Sequence, residues 1–141
     1  MSYFVDTNVL VYARDLAEAN KQHRAHQWLE HLWKERTGRL RYQVLQEYYV
    51  TVTKKLSPGL TIADARDDVK AFTVWNPLVI DSKALDGAWS IQDRFGFSWW
   101  DSLIVAAAQI LNCEFLLSED LQHRQIIDGV TIVNPFELEP N

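Results

Sequence analysis

The chain is constrained most by its alternation of short apolar runs with stretches of helical periodicity. Runs at Tyr3 to Val5, Arg39 to Tyr42, Leu78 to Ile80, Glu114 to Leu117 and Thr131 to Val133 read as strands. Between them lie a short helix after Asn8 and longer helices over Ala17 to Glu35, Gln43 to Leu56, Ile62 to Trp75, Lys83 to Phe95 and Trp99 to Leu111. Ser57-Pro58-Gly59 breaks the pattern, while Thr61 to Asp64 and Ser98 to Asp101 have the spacing of capping boxes. Strands joined through helices require crossover connections, which favour parallel pairing with helices packed on both faces. The expected fold is therefore α/β, with three layers and a central parallel five-stranded sheet.

At 141 residues the chain is expected to form a single domain over 1–141, and no repeat or linker divides it. One cysteine, Cys113, excludes an internal disulfide and a cysteine zinc cluster. The amino-terminal residues lack the pattern of a secretion signal, and the longest strongly apolar run, Leu103 to Leu111, is nine residues against the roughly 20 that cross a bilayer. A cytoplasmic protein without a membrane span is expected. The net charge of −5 argues against coating nucleic acid by bulk electrostatics. Lys34, Arg36, Arg39 and Arg41 supply local basicity, and a solvated helix end and turn is their simplest reading.

Four acids fall where a parallel sheet gathers its ligands. Asp6 follows the first strand, Glu47 lies in the first turns of the helix after the second, Asp101 opens a helix, and Asp120 lies just beyond the fourth strand. All four belong to the strands' carboxyl edge, the binding edge of open α/β sheets. Crowded carboxylates raise one another's pKa unless a cation or proton intervenes, and hard divalent cations prefer oxygen ligands. A metal-activated water attacking phosphorus is chemistry that suits such a site.

Each acid also has a purely structural reading. Asp6 is a candidate N-cap, Asp101 the last member of a capping box, and Asp120 a partner for Arg124 one turn on. Glu47 has no basic neighbour at helical spacing of the kind Glu30 finds in Lys34. Independent structural roles do not account for four acids at one sheet edge.

The segments Phe4-Val5-Asp6-Thr7-Asn8-Val9-Leu10, Gln46-Glu47-Tyr48-Tyr49, Trp100-Asp101-Ser102-Leu103-Ile104-Val105-Ala106-Ala107-Ala108 and Leu116-Leu117-Ser118-Glu119-Asp120-Leu121 resemble, in order and context, a PIN domain. The resemblance implies a metal-dependent ribonuclease of the VapC toxin kind, built on a parallel five-stranded sheet and often dimeric. It implies that Asp6, Glu47 and Asp101 are the core acids, that Asp120 is the more variable fourth, and that the set binds Mg²⁺ or Mn²⁺. Thr7 or Asn8, together with Ser118, match the polar positions that help to arrange the family's site. Ser118 and Glu119 depart from the commoner pattern, which leaves Glu119 or Asp120 as the outer ligand, with position favouring Asp120. The partners implied are an RNA substrate, a cognate antitoxin and a second copy of the chain.

Other classes fit less well. A haloacid-dehalogenase-like phosphatase needs a second Asp where this chain has Asn8, and a response-regulator receiver needs a Lys beyond Lys83. A housekeeping PIN nuclease and a noncatalytic PIN-like interaction protein are the alternatives within the family. His23, His26, His31 and His123 have no metal-ligand spacing and read as helix and loop residues. Adjacent helical rings at Trp99 and Trp100 point about 100° apart and cannot both face one core. One is left to stack on RNA, cover a protein contact, or pack partly against the next helix, whereas Trp28, Trp33, Trp75 and Trp89 are expected in the core.

Overall fold

A computed structural model describes residues 1–141. The strands are β1 (Tyr3–Val5), β2 (Gly38–Arg39), β3 (Phe115–Leu117), β4 (Ile126–Ile127) and β5 (Val130–Val133). The helices are α1 (Thr7–Tyr12), α2 (Ala19–Glu35), α3 (Tyr42–Lys54), α4 (Ile62–Phe72), α5 (Ser82–Phe95) and α6 (Trp99–Ile110), with α4 tightening into a 3₁₀ turn at Thr73–Trp75.

Local chemistry sets the helix ends. The Thr61, Asp81 and Ser98 side chains accept from the backbone N–H groups of Asp64, Ala84 and Asp101, and so start α4, α5 and α6. Gly96, at φ 69°, ends α5 in the left-handed conformation that a residue without Cβ adopts most easily.

The sheet has the order β2-β1-β3-β5-β4. β1 pairs in parallel with β2 and β3, and β3 pairs in parallel with β5. Successive side chains of β1 face opposite sides, yet all three are buried, so both faces of the strand are covered. Phe4, Val5, Leu116, Leu117 and Ile132 join helix residues such as Leu10, Trp28, Leu32 and Tyr48 in the main core. Ala84, Ala88, Leu103 and Ala106 form a smaller cluster between α5 and α6, where short side chains allow close approach.

The sheet differs from expectation in two places. Leu78 to Ile80 forms no strand: Leu78 exchanges backbone hydrogen bonds with Leu40 and Tyr42 in one isolated bridge, and Asp81 then caps α5. The fifth strand is instead β4, antiparallel to β5, so the sheet is mostly rather than wholly parallel. Asp128 and Gly129, at φ 47° and 89°, form the turn of that hairpin, a conformation favoured by an Asp-Gly pair. β2 is also shorter than expected, because Arg41 is already the N-cap of α3.

Candidate active site

Parallel register builds the site. Val5 pairs with Leu117, so the residues after them, Asp6 and Ser118, emerge side by side at the carboxyl edge. Ser118 Oγ donates to Asp6 Oδ2 at 2.7 Å, and Asp6 Oδ1 accepts from the Thr7 backbone N–H at 2.7 Å. Asp6 is thus both the N-cap of α1 and part of the edge cluster. The Ser118 hydroxyl also accepts from the Asp120 backbone N–H at 3.1 Å, which fixes the loop after β3.

The remaining acids arrive from helices. α1 packs on α3, and Thr7 Oγ1 donates to Glu47 Oε2 at 2.8 Å, while Gln43 Nε2 holds Oε1 at the same distance. Asn8 Nδ2 donates to Asp120 Oδ2 at 3.0 Å. Asp101, in the first turn of α6, takes part in the expected cap and lines the same space. Together Asp6, Glu47, Asp101 and Asp120 line a cleft of about 410 Å³, with Thr7 and Asn8 in its wall.

Adjacent Glu119 turns away and pairs with Lys21 at 2.9 Å, so of the two acids only Asp120 lines the cleft. Asp120 has no ion pair with Arg124. Burial, reinforced by the charges of Asp120 and Asp101, pushes the Asp6 carboxyl up to about 6 despite the Ser118 and Thr7 hydrogen bonds that oppose the shift. Burial and Asp120 also raise Asp101.

An oxygen-only set of carboxylates suits a hard divalent cation. Asn8 Oδ1, buried in the same wall without a donor, is a further oxygen of that type. As placed, no group of three His, Cys, Asp or Glu side chains is close enough together to hold an ion. The donor chemistry and the charge fit a divalent cation that would gather the carboxylates on binding.

Arg41, Asp15 and Tyr12 are among the cleft residues that the sequence does not mark as site members. Arg41, expected on a solvated turn, is 1 % exposed and lines the cleft. Asp15 contributes a further carboxylate, one of whose oxygens accepts from the Ala17 N–H, and Tyr12 flanks it. Of the paired tryptophans, Trp100 is 57 % exposed and lines the cleft, while Trp99 packs beside Trp89 with ring centroids 6.2 Å apart. Trp28 and Trp75 are buried as expected, but Trp33 and Trp89 reach the surface. The histidines serve locally: His26 Nε2 bonds the Ala13 carbonyl, and His123 Nδ1 accepts from the Asn134 N–H.

A model of the PIN domain matches residues 3–128. No curated protein matches the chain. Among solved structures, VapBC2 from Rickettsia felis, bound to a DNA fragment from its promoter, is similar with a TM-score of 0.58 and 19 % identity. The match covers 94 % of this chain and 97 % of that one. It is a likeness of fold, and the family match extends across the first through the fourth strands and includes Asp6, Glu47, Asp101 and Asp120. This chain belongs to the PIN-domain family.

Proposed function

We propose that this PIN domain is a divalent-metal-dependent endoribonuclease and the toxin of a type II toxin-antitoxin pair. The observation that carries the reading is the convergence of Asp6, Glu47, Asp101 and Asp120 on one cleft, none of them paired with a basic side chain. These four acids would hold Mg²⁺, or Mn²⁺ in its place. When bound, such a cation would supply Lewis-acid charge and make water more acidic.

The chain's own groups do the rest. Ser118 and the Thr7 N–H hold Asp6, Thr7 and Gln43 hold Glu47, and Asn8 holds Asp120, so the carboxylates meet the substrate in set orientations. In the hydrolysis the water oxygen forms a bond to phosphorus, the ester P–O bond breaks, and the water proton ends on the leaving oxygen. Trp100, an exposed ring at the cleft, offers a stacking face to an unpaired base.

A mostly apolar groove of about 490 Å³ runs along α3 and α4, lined by Tyr42, Leu45, Tyr49, Val50 and Val69. An apolar depression on the helix that carries Glu47 supports a protein partner, the antitoxin, close to the cleft. A second copy of the chain completes the assembly.

Expression of the wild-type chain, with cleavage sites mapped across total cellular RNA, tests the reading. Growth arrest, metal-dependent cuts, loss of both in Asp6→Asn, and rescue by the adjacent small gene with co-purification are expected. Harmless expression with RNA cleavage intact would point to a housekeeping PIN nuclease. Folded wild-type protein without metal-dependent cleavage would leave a noncatalytic interaction domain.

A further inference from the structure

Arg41 is a charged group that the acid chemistry leaves unused. It sits at the carboxyl end of β2, is 1 % exposed, and lines the cleft, with Nε and Nη1 buried and without a hydrogen-bond partner. Buried donors, above all charged ones, are ordinarily satisfied.

The acids nearby do not satisfy this one. Glu47 and Asp6 are the charges that act on Arg41, yet Glu47 accepts from Thr7 and Gln43, and Asp6 from Ser118 and the Thr7 N–H. Neutral donors occupy the carboxylates and leave the guanidinium free. Its backbone is fixed at the α3 N-cap and in the bridge to Leu78, so the group is held in place beneath the cleft.

We infer that Arg41 is a substrate-contacting residue, whose guanidinium donates to a phosphate oxygen of the RNA strand bound in the acid cleft. This rests on the ribonuclease reading of the same site. The planar fork matches phosphate oxygens, and a fixed positive charge in the cleft wall stabilises the negative charge that builds on the phosphate during hydrolysis. Arg41 gives up no proton. Four carboxylates outweigh one guanidinium, so phosphate enters only when divalent cations accompany it. The opposing view makes Arg41 a static counter-charge for Asp6 and Glu47, which requires no response to phosphate.

The test follows the Arg41 side-chain Nε–H NMR signal of the full chain in Mg²⁺ while inorganic phosphate is added, together with the melting temperature. Wild type is expected to show a saturable shift of that signal and a further rise in Tm with phosphate. Arg41→Lys and Arg41→Gln should keep the rise caused by Mg²⁺ and lose the rise caused by phosphate. Folded Arg41→Lys should lose roughly 10²- to 10³-fold in kcat on RNA. If neither variant folds, the wild-type titration decides by itself. An Arg41 signal unmoved by phosphate, or a folded Arg41→Lys with wild-type kcat, overturns the inference while Mg²⁺ still stabilises the protein. Wild type that gains nothing from Mg²⁺ and cuts no RNA marks the failure of the ribonuclease reading instead.

Discussion

The Ser118 hydroxyl donates to the Asp6 carboxylate at 2.7 Å across 112 residues of sequence, joining the ends of two adjacent parallel strands. Ser118 is fully buried, and the same oxygen accepts from the Asp120 N–H. One side chain thus sets the orientation of one acid and the loop of another. Replacing it leaves a buried carboxylate short of a donor and an N–H short of an acceptor.

Ser118→Ala should therefore destabilise the metal-free protein by about 1–3 kcal/mol, measured by urea unfolding at neutral pH. The apparent affinity for Mg²⁺ should fall in the same variant. Unchanged stability would mean that the hydrogen bond is replaced by solvent.

The Asp6 carboxyl gives a pH signature. Its folded value, about 6, lies above the ordinary 3.8, so the native state holds the proton more tightly than the unfolded chain does. Its contribution to stability is fully present below about pH 4 and is lost as pH rises to about 6, a change of about 3 kcal/mol for this group. Asp6→Asn lacks that slope. In chelator-treated protein the variant should match or exceed wild type at pH 7, and the advantage should shrink toward pH 4. Parallel wild-type and variant stability curves over that range would refute the electrostatic account.

Metal should stabilise the native state through the four acids. At 100 times Kd, Mg²⁺ is expected to add about 2.7 kcal/mol to wild-type stability, read as a rise in Tm. Asp6→Asn, Glu47→Gln and Asp101→Asn should lose that gain and RNA cleavage while staying folded, and Asp120→Asn should be milder. Glu119→Gln, which removes the carboxylate charge paired with Lys21 outside the cleft, should retain both. A Glu119 variant that loses the metal response as Asp120→Asn does would reassign the outer ligand.

Trp100→Ala removes an exposed ring from the cleft wall. The variant should keep its melting temperature to within a few degrees and bind single-stranded RNA more weakly by roughly 1–3 kcal/mol, measured by fluorescence anisotropy. Equal RNA affinity would remove the ring from the substrate path.

Much of this protein is legible in its sequence, because the signals concerned are local. Helical periodicity and the caps at Thr61 and Ser98 act within a few residues, and both caps form. The ordered segments around Asp6, Glu47, Asp101 and Asp120 pointed to the PIN family, and crossover topology requires that residues following parallel strands share an edge. Tertiary structure decided which residues meet. Leu78 gained a single bridge because Arg41 and Asp81 are both claimed as helix caps, and Asp128-Gly129 turned a loop into a hairpin. Glu119 was drawn off by Lys21, which leaves Asp120 at the cleft, and Trp100 rather than Trp99 faces it. Arg41 looked like one more base in a charged turn until β2 docked beside β1 and buried it among the acids. Periodicity reports the face of an element, whereas the direction of one side chain, and the charge it meets, depends on strand register and on how distant helices pack.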